Sequence, residues 1–419
     1  MVREQLDERL YRTTAPNGLT VLSESLPGLR SAAVGVWIRA ASGHERPEQM
    51  GIAHLLEHMV FKGTEQRSAK ELALALEVRG GSLDAYTSRD QTSFQAHVLD
   101  QDLPLAVDIL TDLVRGPLLR NEDLELERNV VLEEIKGVQD TPDDLVFDLL
   151  STALWPDHPY GYSILGTPET VSRLSVADLR AFHAAAYYPG NAVIAAAGNV
   201  DHDRLLEDLI RLGWFEDSGY VPPRAVVVPE PAARARSESI PRDTAQSHIV
   251  FGTDTFEARD LRRYPLAILT NVFGGGMSSR LFQRIREELG LAYAVYAYQQ
   301  AYRSNGLLGV YVGSQPSTAE RAKEAIRAEF SRLAIDGLSP AELADGKQQL
   351  KGQLMLALEN AASRMHRLAG FVLNDDRYRK LDEVLAAIDQ VGSDETAAVA
   401  REFFDPARLV TVELGGHTD

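Results

Sequence analysis

The chain has 419 residues, 44% of them hydrophobic, and its 43 basic against 61 acidic side chains give a net charge of −18. That length sets an expectation of two to four domains, each able to bury its own core, and the acidic balance argues against a nucleic-acid partner and favours a basic peptide. There is no cysteine, which excludes disulfides and thiolate metal sites and suits a reducing cytoplasm. The opening residues carry acids and no apolar stretch, unlike a signal or transit peptide. The apolar runs, such as residues 192–197, are far too short to cross a membrane, so no membrane partner is expected.

In chain order, an Asn17-Gly18 turn leads into a strand, and residues 31–40 read as a second strand. Residues 51–61 read as a helix. A further helix is expected over 68–79, with Leu72, Leu74, Ala75 and Val78 as its apolar residues. Residues 82–87 and 92–99 read as a strand pair, 103–113 as a helix and 120–139 as an acidic helix. Residues 192–200 read as a buried strand. Residues 214–241 hold Pro222, Pro223, Pro229, Pro231 and Pro241, the composition of a linker.

Beyond the linker the order repeats. Strands are expected over 246–253 and 306–312, and helices over 265–273 and 318–333. Leu338-Ser-Pro-Ala-Glu-Leu343 parallels Leu119-Arg-Asn-Glu-Asp-Leu124 at an offset of 219, which places Gly346 opposite Glu127 and Gln353 opposite Glu134. The glycine-rich run 273–280 lacks the ending and context of a phosphate loop and reads as a flexible loop.

The chemistry concentrates in Gly51-Ile-Ala-His-Leu-Leu-Glu-His-Met-Val-Phe61. His54 and His58 are four apart, so on a helix they project from one face and can share one zinc ion. Glu57 between them can reach a water on that ion, in the HxxEH order. The alternative, two histidines and an acid on a solvated surface helix, fits poorly with the apolar residues around them, because buried ionisable groups need a partner. The acidic helix offers a third ligand. Glu127 and Glu134 are seven apart and share a face, while Glu133 is turned about 100° from Glu134, towards water. Glu134 is the best candidate to close a His₂Glu site with one position left for water, and Glu127, two turns back, would orient a ligand. His44, His97, His158, His183, His202, His248, His366 and His417 lack ligand spacing and read as structural or solvated.

With these residues in place the chain resembles the pitrilysin-family zinc peptidases, the inverzincins, and is most similar to their small bacterial branch related to mitochondrial processing peptidase. The resemblance rests on His54–Thr64, Gly80–Thr87, Glu127–Glu134, Tyr188–Val200 and Ser279–Tyr293. It implies zinc ligands at His54, His58 and Glu134, a general base at Glu57 and a supporting carboxylate at Glu127. It further implies an α+β fold of two tandem, similar α/β-sandwich domains, mixed sheets with helices packed on them, facing each other across a chamber. The expected boundaries are 1–213 for the catalytic domain, 214–241 for the linker and 242–419 for a second domain without metal ligands. The family binds peptide on the strand carrying Asp84, Ala85 and Tyr86, with Asn usual at the place of Asp84. Arg286 and Tyr293 would reach the substrate from the second domain, Arg286 holding a carbonyl and Tyr293 the developing oxyanion. The activity implied is endopeptidase cleavage of short or unfolded peptides with one zinc per chain. Because both sets of residues lie in one chain, a self-sufficient homodimer is expected, ahead of a subunit paired with a paralogue and of a non-catalytic binding subunit.

Overall fold

The computed structural model describes residues 1–216, 221–222 and 236–416. The described chain forms two compact units. The first comprises residues from 1–135, 163–226 and 357–378, and the second residues from 136–162, 227–356 and 379–419.

The first unit is built on a seven-stranded sheet of β1 (Val2–Asp7), β2 (Leu10–Thr14), β3 (Thr20–Ser25), β4 (Ser31–Ile38), β5 (Ser82–Thr87), β6 (Thr92–Leu99) and β7 (Ala192–Gly198). Their order is β1-β2-β3-β7-β4-β6-β5, so β5 is an edge strand. The β3–β7 pair is parallel and the other pairs are antiparallel. Alternation decides what each face holds. On β4, Ala32, Val34, Val36 and Ile38 join the main core with α1 (Ile52–Val60), α2 (Ala69–Glu77), α3 (Leu103–Arg115) and α4 (Asn121–Gln139). Ala33 and Trp37 face the other way, with Val193, Ala195 and Ala197 of β7, onto Met365, Leu368 and Leu373 of the helix Ala361–Leu373. The small alanines let that helix sit close on the sheet. Each large apolar side chain buried there contributes about 1.5–3 kcal/mol.

The second unit carries β8 (Arg236–Ile240), β9 (Ser247–Thr255), β10 (Ala292–Ala301), β11 (Gly306–Ser314) and β12 (Val410–Leu414), in the order β10-β11-β9-β12-β8. One face packs on the helices Arg263–Gly274, Ala319–Asp336 and Ser393–Phe403 through Ile249, Phe251, Leu308, Val310 and Val312. The other face takes α5 (Pro142–Leu154). Its Phe147 lies edge-on to Tyr298 at 5.4 Å and stacks on Tyr311 at 5.7 Å. Its Leu150 fills the space over Gly252, where a Cβ would come within 2.7 Å of the leucine.

Each sheet is therefore completed by a helix from the other half of the sequence, and the units depart from a linear division at the linker. Both ends of the expected linker, 214–241, belong to ordered elements among the described residues. Trp214 is buried in the first core, its indole N–H donating to Thr111 Oγ1 at 2.8 Å, and residues 236–240 form β8. Pro223, Pro229 and Pro231 lie outside the described residues, as does His417. On α2 the buried apolar residues are Leu72 and Leu76, while Leu74 and Val78 are exposed. The strand pair is observed as β5 and β6. The glycine run is ordered at its start, because Gly274 ends a helix so close to β10 that a Cβ would meet Ala297 N at 2.3 Å.

His202 shows how a histidine without ligand spacing is used. It is buried between β2 and β3, with Nε2 at 2.8 Å from Thr13 Oγ1 and Nδ1 at 2.8 Å from Ser23 Oγ. Burial, reinforced by the charge of Arg3, pushes its pKa down from 6.5 to about 4. The unfolded chain then takes up the proton first, so stability falls as pH drops from about 6.5 towards 4 and levels off below. Unfolding midpoints measured between pH 7.5 and 4 should follow that slope, and His202→Gln should flatten it.

Candidate metal centre

Helix α1 is nine residues long, and Ile52, Ala53, Leu55, Leu56, Met59 and Val60 are all buried. The remaining His54, Glu57 and His58 share a single partly buried stripe, because positions i, i+3 and i+4 lie on one face. The two imidazole centroids are 4.6 Å apart. Burial first, and then His58, pushes the His54 pKa down to about 4, so at neutral pH its imidazole is uncharged and has a free lone pair.

Helix α4 brings two carboxylates to this stripe. Glu134 Oε2 lies 3.7 Å from His54 Nε2 and 3.6 Å from His58 Nε2. His54, His58 and Glu134 can each place a ligand atom within 4.8 Å of the others. Atoms bound about 2.0–2.1 Å from one tetrahedral zinc are about 3.3–3.4 Å apart, so the two-nitrogen, one-oxygen set fits that ion with little movement. Glu133 is exposed. Glu127 is buried at 5% exposure. Its Oε2 is 3.1 Å from His58 Nδ1, and its Oε1 is 2.6 Å from Lys62 Nζ. A proton held on His58 Nδ1 by Glu127 leaves Nε2 as the acceptor facing Glu134.

Glu57 is held from β5. Thr87 Oγ1 donates to Glu57 Oε2 at 2.5 Å. Burial raises the Glu57 pKa, with Glu134 adding to the rise, while the Thr87 bond and His58 oppose it. A carboxyl whose pKa is raised by burial holds a proton more readily, which suits a group that must take one and return it.

Among the described residues, the edge position of β5 leaves one side of its backbone without a partner strand. Leu83 and Ala85 pack towards the α1 face, as Thr87 does. Asp84 and Tyr86 alternate to the opposite face. Asp84 is exposed, and the Tyr86 hydroxyl accepts from the Trp37 indole at 3.3 Å. On the α1 side, Asp84 and Tyr86 can contribute through the main chain only.

Arg286 and Tyr293 are brought together within the second unit. The Arg286 guanidinium lies 4.7 Å from the Tyr293 ring centroid and 4.7 Å from that of Phe282. Arg286 sits on a π-helical run, Phe282–Glu288. Tyr293 is 77% exposed on the edge strand β10, at a register shift between Ala292 and Ala294. Such irregularities re-aim side chains and recur at functional sites. The residues opposite Glu127 and Glu134 cannot hold a metal. Gly346 packs so tightly that a Cβ would come within 2.7 Å of Val272, and Gln353 is exposed.

Three residues of the centre escape the sequence reading: Thr87, Lys62 and Glu45. Strand alternation from Leu83 and Ala85 could have found Thr87, and the closeness of Lys62 to the motif is a faint signal. Glu45 has none. It is buried, and burial pushes its pKa up to about 8 against two backbone hydrogen bonds that favour the anion.

The family model of the insulinase peptidases, peptidase family M16, matches residues 20–168, and that of the M16 inactive domain matches residues 173–350. An uncharacterized zinc protease of Streptomyces coelicolor is 39% identical over 93% of this chain and 86% of its own length. One of Bacillus subtilis is 39% identical over 94% and 96%, and one of Mycobacterium tuberculosis 40% identical over 97% and 93%. Among solved structures, a protease from Helicobacter pylori has a TM-score of 0.89 at 23% identity, covering 96% of this chain and 98% of that one. A Pseudomonas fluorescens structure described as an M16 inactive domain has a TM-score of 0.90 at 20% identity, with 98% of each chain covered. At those identities the structures speak for the fold.

The Glu127 contact yields a direct expectation. Glu127→Gln removes the charge that fixes the His58 tautomer and should weaken zinc binding about 10–100-fold, measured by competition against a chromogenic chelator.

Proposed function

Since this chain belongs to peptidase family M16, we propose that it is a zinc-dependent endopeptidase acting on short or unfolded peptides, with one zinc per chain held by His54, His58 and Glu134. The observation that carries this reading is the approach of two imidazole Nε2 atoms to one Glu134 oxygen, at 3.7 and 3.6 Å, with Glu57 on the same stripe of α1. When bound, zinc supplies Lewis-acid chemistry, polarising a carbonyl and making water more acidic.

The chain's own residues do the rest. Thr87 occupies Glu57 Oε2 and leaves Oε1 to receive the proton of the attacking water. As the peptide C–N bond breaks, Glu57 passes that proton to the departing amine. Glu127 keeps the proton of His58 on Nδ1, so the ring does not compete for it. The open edge of β5 holds the substrate by main-chain pairing along Asp84, Ala85 and Tyr86, which gives affinity with little sequence preference. Pairing of that kind needs an extended chain, which is why the reading names short or unfolded peptides. Arg286 and Tyr293, already paired with each other, are assigned to a substrate carbonyl and to the oxyanion. The net charge of −18 favours basic peptides through long-range attraction.

The metal set and the Arg286–Tyr293 pair lie in one chain, which supports a homodimer needing no paralogue. Gel filtration with an assay of the purified chain alone tests this. Among the described residues no helix is long and apolar enough to cross a membrane. We assign the chain to the bacterial cytoplasm on its lack of cysteine.

Two variants test the chemistry. Glu57→Gln should retain one zinc per chain and lose about 10²–10⁴-fold in cleavage of a quenched basic peptide, and wild-type turnover in that variant would sink the assignment. Thr87→Val removes the bond that holds the Glu57 pKa down. Because the base must be ionised, the acidic limb of the kcat/KM profile should then move to higher pH.

A further inference from the structure

The two histidines of α1 are oriented differently. His58 has Glu127 at Nδ1, while the buried Nδ1 of His54 has no hydrogen-bond partner among the described residues. A metal-binding histidine normally has its second nitrogen fixed by an acceptor, and that acceptor sets the ring direction. His54 therefore depends on its backbone for its aim, and its backbone belongs to the first turn of α1.

That turn lacks a local cap. Its N-cap residue is Gly51, at φ +88°, with no side chain to accept from the free N–H groups. No other residue fits there, because a Cβ would lie 2.6 Å from the Leu165 carbonyl oxygen and 2.9 Å from Gly166 Cα. A serine or aspartate cap is thus sterically forbidden, and the acceptor comes from six residues upstream. Glu45 Oε2 accepts from Gly51 N–H at 2.8 Å, and Oε1 accepts from Ala53 N–H at 2.9 Å. Ala53 immediately precedes His54. Both Glu45 oxygens accept in this contact, so the clamp is the ionised form, which the N–H groups and the helix dipole favour against the burial that pushes its pKa up. Glu45 is only 5% exposed, so its grip is not shared with water.

We propose that Glu45 is a positioning residue of the metal centre: by clamping the Gly51 and Ala53 N–H groups it fixes the first turn of α1 and, through it, the direction of His54. The inference rests on the reading of His54 as a zinc ligand. Glu45 touches neither metal nor substrate. Its effect should appear as zinc affinity and turnover, with substrate binding on β5 unchanged.

The test compares Glu45→Gln and Glu45→Ala with the wild type in full-length protein. Zinc dissociation constants come from chelator competition, kcat and KM from a quenched peptide, and unfolding midpoints from the metal-free protein. Glu45→Gln keeps the shape but turns one acceptor into a donor facing an N–H. It should lower zinc affinity and kcat about tenfold or more, with KM within twofold and the metal-free midpoint little changed. In a His54→Ala background the same change should cost less than twofold in zinc affinity, because the two residues then act on a missing ligand. A folded Glu45→Gln protein with wild-type zinc affinity and kcat overturns the proposal. So does an unfolding midpoint that falls while both stay unchanged, or a loss that is fully additive with His54→Ala. If Glu45→Ala fails to fold, Glu45→Gln decides alone. A wild-type chain that binds no zinc would instead remove the proposed function on which the inference stands.

Discussion

The centre depends on how completely α1 is buried. Six of its nine side chains have no access to water, so polar groups are confined to one stripe, and the spacing of His54, Glu57 and His58 fills it. Burial does more than select the stripe. It keeps His54 neutral and raises the Glu57 pKa, because desolvation penalises whichever form is charged. The same apolar packing therefore prepares a ligand and a base of opposite charge type without a separate device for each.

Around that stripe the electrostatics are uneven. Glu57, Glu127 and Glu134 all lie close to the two imidazoles. Among the described residues, Glu127 alone of these three has a cation beside it, Lys62 at 2.6 Å. Glu127 can then spend its second oxygen on His58 without adding a full negative charge to the site. Glu134, with 40% of its side chain exposed, shares one oxygen between the two rings. A divalent cation is the group that such an arrangement of two lone pairs and one anion accommodates best.

The periodic elements were readable in the sequence. The spacing of His54 and His58, the seven-residue step from Glu127 to Glu134 and the alternation of residues 82–99 are all local patterns, and the structure places them as those patterns require. The missed features are those that break a period or fall outside one. Glu45 caps a helix six residues away because Gly51 cannot, and nothing in its neighbours announces it. The bulge at Tyr293 and the π-helical run bearing Arg286 break the periods on which pattern reading relies. The helix exchange was hidden for another reason. Amphipathic residues on α5 or on Ala361–Leu373 show that a face is buried, but the period is the same whichever sheet buries it.

That exchange sets the order in which the molecule can be completed. During synthesis from the N-terminus, β1 to β7 are available once residue 198 has emerged. The surface formed by Leu10, Leu22, Trp37 and Val193 nevertheless stays uncovered until residues 361–373 follow. The helix that will cover the second sheet, α5, is made more than ninety residues before β9 exists. Neither sheet can close its second face on its own half of the chain. The two halves are interlocked by their folding history as well as by their sequence, and cutting the chain at the linker would leave each half with one bare sheet face and one helix with nothing to cover.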